Sequence, residues 1–118
     1  MDAFPIRFFF VRVDVRCTAE EAFRHLPTIN QFFEVLRSHW HDGVLSVFGL
    51  TQTENDPLWY QSNELFDALG KWIDPDSGDD CTAPLEPGAL EVRYFDASPT
   101  NTPWTATHRP PEADPDDE

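Results

Sequence analysis

Ile6 to Val15 reads IRFFFVRVDV, and it narrows the possible folds more than any other stretch of the chain. Its residues are β-branched or aromatic, and from Phe9 onward Val11, Val13 and Val15 alternate with Arg12, Asp14 and Arg16, which is the period of a strand with one buried face. Phe8, Phe9 and Phe10 break the alternation by offering aromatic surface on both sides. Such a strand belongs at the centre of a sheet, its second face covered by its own chain or by another.

A strand of this kind needs neighbours, and 118 residues supply enough for one domain with one core. Thr18 and Glu21 have the spacing of a capping box and start a helix, along which Ala22, Leu26, Ile29, Phe33 and Leu36 form an apolar stripe. Pro27 removes one helical hydrogen bond, so a kink or break is expected there. Thr28 and Gln31 then open a second helical piece running to about Ser38. Gly43 supplies the positive φ of the exit, and Val44 to Thr53 follows as a strand, weakened or bulged at Gly49. Glu54-Asn55-Asp56-Pro57 is turn chemistry, after which Leu58 to Gln61 is expected to return as the second arm of a hairpin. The rival is a helix beginning at Pro57 with Asp56 as its cap. Ser62 and Asn63, poor in a helix interior and good at its start, favour the hairpin, with a helix from Ser62 to about Trp72.

In that helix Leu65, Leu69 and Trp72, joined by Phe66 and Ile73, face the core, while Glu64, Asp67 and Lys71 face water. Asp74 to Gly88 reads as an acidic loop and Leu90 to Phe95 as the last strand. From Ala97 onward the Pro-rich acidic sequence reads as a disordered tail. The expected order is strand, helix, strand, strand, helix, strand. This is an α+β, ferredoxin-like βαββαβ plan over residues 1–96, with the first and third strands central, two helical elements on one face and a tail over 97–118.

Charge bears more on function than on fold. Of the formal −14, residues 1–53 carry −1 and residues 54–118 carry −13. Between Glu54 and Asp80, eight carboxylates face a single cation, Lys71. A chain so acidic is repelled by nucleic acid and by anionic lipid, whose binding rests on Lys and Arg, so direct partners of those kinds are excluded. Its complement is a protein with a basic surface. Arg7 interrupts the first apolar run, no run approaches the ~18 residues of a membrane span, and Cys17 and Cys81 are too sparse for a disulfide framework, so a cytoplasmic setting is expected.

No catalytic signature occurs, and no cofactor or metal is expected. His39, His41 and Asp42 have the look of a metal cluster, but no third ligand stands at a recognised spacing, and a polar helix exit with two solvated histidines is the simpler account. Asp74, Asp76 and Asp80 resemble the start of a calcium loop. Gly78 takes the place of the third ligand, however, and Leu85 that of the closing acid. Cys17 precedes a helix start, where a thiolate is favoured, yet nothing else supports reactivity and a small residue packed at a strand end is expected. Phe on the first strand and Trp59 on the third invite an RNA-stacking reading. Residues 1–96 hold seven cations against seventeen acids, so that reading is set aside in favour of a core role for the aromatics.

What remains is an acidic and aromatic surface: Glu64, Asp67, Asp74, Asp76, Asp79 and Asp80 as anions for Arg and Lys, with Trp59 and Trp72 as aromatic anchors. Solubility through net charge is the plain alternative. The composition is that of small acidic inhibitors of restriction or CRISPR machinery carried by phages and mobile elements, although no motif is shared with them. The expectation is a non-enzymatic protein-binding module, an inhibitor that acts as a nucleic-acid mimic on a nucleic-acid-handling complex. The alternative is a ferredoxin-like homodimer, enzymatic or small-ligand-binding, that uses His39, His41 and Asp42 and buries Phe8 to Phe10 between subunits.

Overall fold

The computed structural model describes residues 7–53, 58–96 and 105–110. Along the chain the elements are β1 (Arg7–Arg16), α1 (Ala19–Phe32), β2 (Glu34–His41), β3 (Val44–Thr53), α2 (Leu58–Leu69), β4 (Lys71–Ile73), β5 (Asp80–Thr82), β6 (Leu90–Asp96) and β7 (Thr105–His108). They form an α+β fold, with a five-stranded antiparallel sheet in the order β2-β3-β1-β6-β7 and a separate β4-β5 hairpin. β1 is central, as expected, but the third strand expected beside it, Leu58 to Gln61, is helical, and Val44–Thr53 (β3), the second strand of the expected plan, takes that inner place. The strict βαββαβ succession is not kept, because the hairpin intervenes between α2 and β6 and a fifth strand is added beyond β6.

Alternation along β1 sorts its two faces as its sequence requires. Phe9, Val11, Val13 and Val15 are buried together with Leu45 and Val47 of β3 and Leu90, Val92 and Tyr94 of β6. Ala22, Ile29 and Phe33 from α1 and its cap, with Leu65 and Leu69 from α2, close this core from one side. The other side of the sheet has no covering element among the described residues. Tyr94 ties the layers together: its ring meets Phe9, Phe33 and His108 edge-on at 6.3, 6.5 and 5.5 Å. Its hydroxyl donates to Gln61 Oε1 at 3.1 Å, and Gln61 Nε2 donates in turn to Thr51 Oγ1 at 3.1 Å.

The capping box at the start of α1 forms as expected, Thr18 N–H donating to Glu21 Oε1 at 2.9 Å and Glu21 N–H to Thr18 Oγ1 at 3.1 Å. The expected break at Pro27 does not occur, and α1 runs through it to Phe32. Pro27 and Phe23, the residue whose carbonyl loses its donor, are both exposed, so water can satisfy that carbonyl. The helix ends where Phe33 turns extended (φ −134°, ψ 150°), and Glu34 to His41 is a strand rather than helix. Asp42 (φ 54°) and Gly43 (φ 82°) form the positive-φ pair of a two-residue hairpin joining β2 to β3.

The second half needs similar correction. Leu58 to Gln61 is helical, not a strand, so α2 begins four residues before Ser62, and Ser62 is a fully buried interior residue instead of a cap. Trp72 and Ile73 leave the helix for β4, where Ile73 is exposed. Asp80 to Thr82 of the expected loop is β5, and Thr105 to His108 of the expected tail is β7, paired with β6 from Val92 to Phe95. The expected turn at 54–57 and the rest of the tail, 97–104 and 111–118, lie outside the described residues. No helix among the described residues is long and apolar enough to cross a membrane.

Gly49 does mark an irregularity, but the bulge is in the facing strand, between Val35 and Arg37. A Cβ at Gly49 would stand 2.5 Å from the Glu34 carbonyl oxygen, so the edge strand lies against bare backbone there. Gly49→Ala must push β2 away, and the expected cost is about 1–3 kcal/mol, read as a lower urea midpoint. An unchanged midpoint would show that the edge strand yields freely.

Candidate functional site

The uncovered face of the sheet is built by the same alternation that fills the core. Phe8, Phe10, Arg12, Asp14 and Arg16 from β1 share it with Ser46, Phe48 and Leu50 from β3 and with Glu91, Arg93 and Phe95 from β6; Arg37, His39 and His41 from β2 lie in register with them. Phe8 and Phe10 are each 50% exposed, and Phe48 and Phe95 nearly 40%. The core role expected for the aromatics of the first strand therefore holds for Phe9 alone.

Arg12 and Arg93 stand directly opposite each other, as do Asp14 and Glu91. Like charges so placed repel, and each arginine turns along its own strand to a carboxylate: Arg12 Nε to Asp14 at 3.0 Å, Arg93 to Glu91 at 2.6 Å. Ser46 Oγ donates to Asp14 at 2.7 Å, and Arg109 Nε reaches Glu91 at 2.8 Å. Arg12 also lies over the Phe48 ring at 5.3 Å. Burial pushes the Glu91 carboxyl up, but the hydrogen bond and charge of Arg93, reinforced by Arg109, outweigh it and hold Glu91 below its ordinary value. His39 and His41 stack at 5.8 Å beside these groups, on the wall of a shallow basin of about 490 Å³.

The predicted acidic residues lie elsewhere. Glu64 and Asp67 are exposed, three positions apart on α2. Asp74, Asp76, Asp79 and Asp80 are drawn together by the β4–β5 turn, where Asp74 N–H donates to Asp79 O at 2.9 Å, Gly78 N–H to Asp74 O at 2.7 Å and Asp76 N–H to Asp74 Oδ1 at 2.8 Å. None of the six carboxylates has an ion-pair partner among the described residues. No group of three His, Cys, Asp or Glu side chains suited to a metal ion occurs among the described residues. Trp72 is half-buried, with the Arg24 guanidinium 3.8 Å from its ring centroid. The Trp59 side chain lies outside the described residues.

Sequence reasoning missed the surroundings of Arg24. A cleft of about 480 Å³ between the start of α1 and the 83–89 segment is lined by Arg16, Cys17, Glu21, Arg24, His25 and Leu85, among others. Burial pushes the Cys17 thiol up, and the nearby Glu21 charge adds to this, so the thiol is not activated by the helix start. It packs against the core, as expected of a small residue at a strand end. His25, 4% exposed, is held below its ordinary 6.5 by burial and then by Arg24. The signal was its place in the helical stripe, between Ala22 and Ile29.

Comparison with family models, with curated proteins and with solved structures gives no match. The geometry alone therefore carries the functional argument.

The lowered pKa values of His25 and Glu91 each fix the sign of a pH dependence. Unfolded His25 takes up a proton near pH 6.5 while buried His25 resists it, so its contribution to stability is present above that pH and declines below it. Glu91 contributes above its unfolded value near 4.5, and that contribution is lost as pH falls further. The melting temperature should fall in two stages on acidification, and His25→Gln should flatten the first, whatever its absolute stability. Identical slopes for wild type and variant between pH 5 and 7 would contradict the assignment.

Proposed function

We infer that the chain is a small, non-enzymatic protein-binding module whose acidic residues on α2 and the β4–β5 hairpin occupy a basic, nucleic-acid-binding surface of a partner protein. One observation carries the reading: Glu64, Asp67, Asp74, Asp76, Asp79 and Asp80 sit on ordered elements with no ion-pair partner among the described residues, whereas Asp14, Glu21 and Glu91 are all paired with arginines. Mutual repulsion within the turn destabilises the free protein and is relieved when Arg and Lys arrive. Carboxylates fixed on a helix and a hairpin present charge in the manner of backbone phosphates, which suits an inhibitor of nucleic-acid-handling machinery, of the anti-CRISPR or anti-restriction kind, carried by a phage or mobile element.

The fold supporting this is read as ferredoxin-like in its β2-β3-β1-β6 part, enlarged by the hairpin and by β7. Two free cysteines agree with a reducing, cytoplasmic setting. A second reading, a small-ligand or enzymatic site using His39, His41 and Asp42, has the stacked histidines of the shallow basin in its favour. It requires that His39→Ala with His41→Ala abolish an activity while leaving partner binding intact.

Affinity purification from the native host with mass spectrometry, using the full chain as bait, tests the leading reading. A partner should be recovered at low salt, be displaced by heparin, and be reduced at least ~10-fold at about 0.5 M salt, where the screening length falls below ~5 Å. Replacing Asp74, Asp76, Asp79 and Asp80 by Asn keeps the acceptor that Asp74 offers Asp76 and should cause a similar loss at low salt. A partner held equally by the neutralised variant would sink the proposal.

A further inference from the structure

The uncovered face of the sheet combines features that a solvated surface does not need. Phe8, Phe10, Phe48, Leu50 and Phe95 are neighbours across β3, β1 and β6, and together they make one apolar patch on a chain of formal charge −14. Arginines border it, and aromatic centres with an arginine-rich polar rim are the composition of protein interfaces.

We propose that this face is the contact between two copies of the chain, packed sheet against sheet around Phe10. The register makes the face self-complementary. A two-fold axis lying between the sheets and running along β1 sets β6 of one copy over β3 of the other. Phe95 then meets Leu50, the Arg93 guanidinium meets the Phe48 ring, and Phe8 and Phe10 meet their own symmetry mates. The same axis sets Arg12 and Asp14 against their own mates, and each enters already paired with the other, which offsets the like-charge contact and leaves no isolated charge buried.

Size and charge agree with this occupant. Four strands spaced at ~4.8 Å over about seven residues of ~3.3 Å, with the four residues of β7 added, give a footprint on the order of 500 Å² per copy, about 1,000 Å² for the pair. That matches the ~1,000 Å² expected of a specific interface. Arg12, Arg16, Arg37, Arg93 and Arg109 face Asp14, Glu34 and Glu91 here, so among the described residues cations outnumber acids on this face while acids outnumber cations in the chain. Two copies thus meet where their mutual repulsion is least. A single-stranded nucleic acid would also find aromatics and arginines, but the charge of the whole chain opposes it.

Light scattering coupled to size exclusion, on the full chain, is the test. The mass should be twice the 13.6 kDa of one chain at tens of micromolar, and ~0.5 M salt should leave the dimer intact or tighten it by screening the net repulsion. That response is opposite to the one expected of the acidic residues on α2 and the hairpin, so the two proposals fail separately. Phe10→Asp should raise the dimer dissociation constant by at least ~100-fold, and Phe48→Asp serves the same purpose should the first variant fail to fold by circular dichroism. Phe23→Asp, on the exposed side of α1, should remain dimeric. A wild-type monomer at ~100 µM overturns the proposal, and so does a monomer that binds a labelled single-stranded oligonucleotide or a dimer that survives both sheet-face variants.

Discussion

Two helices cover one face of a five-stranded sheet, and that shortage of cover governs the molecule. β1 has apolar side chains on both faces at its start, whereas α1 and α2 bury only the set beginning with Phe9. The hydrophobic effect fixes the register of every inner strand on the helix side, since a slip of one residue would exchange Val11, Val13 and Val15 for Arg12, Asp14 and Arg16. Tyr94 then locks the layers by reaching both helical regions and both neighbouring strands from one buried position. Phe8 and Phe10 are what this arrangement leaves over.

The same division separates two kinds of electrostatics. On the sheet, Asp14 and Glu91 are each matched to an arginine along their own strand. On the helix and hairpin that follow, acids gather around a single cation, Lys71. A strongly acidic chain is thus not uniformly acidic, and the two proposed contacts, sheet to sheet and acidic turn to a basic partner, rest on surfaces of different charge.

How far the sequence revealed this depended on whether a signal was local. The capping box of Thr18 and Glu21 and the alternation of β1 are local and were legible. β2 was lost because Ile29, Phe33 and Leu36 keep helical spacing past the true end of α1, although Leu36 is exposed at the bulge. Asp42-Gly43, a strong two-residue hairpin pair, was the signal that outweighed them. Ser62 misled because its propensity favours a cap, while the tertiary structure buries it inside α2. β7 has four residues and no pattern of its own, and it exists through pairing with β6 alone. Glu64, Asp67, Asp76, Asp79 and Asp80 are exposed and Asp74 is half-buried. That the Arg24 guanidinium would lie over the Trp72 ring was not legible, because it depends on how β4 meets α1.

The bulge between Val35 and Arg37 has a bearing on assembly. β2 is an edge strand, and a straight edge offers unpaired amides and carbonyls on which another chain can add strand by strand without limit. A bulge bends that row out of line, and at the far edge β7 is only four residues long and is followed by Arg109 and Pro110, the latter without an amide to donate. Both edges are blunted against fibrous growth. The proposed pairing across the flat of the sheet is of the other kind, since a two-fold contact closes on itself and stops.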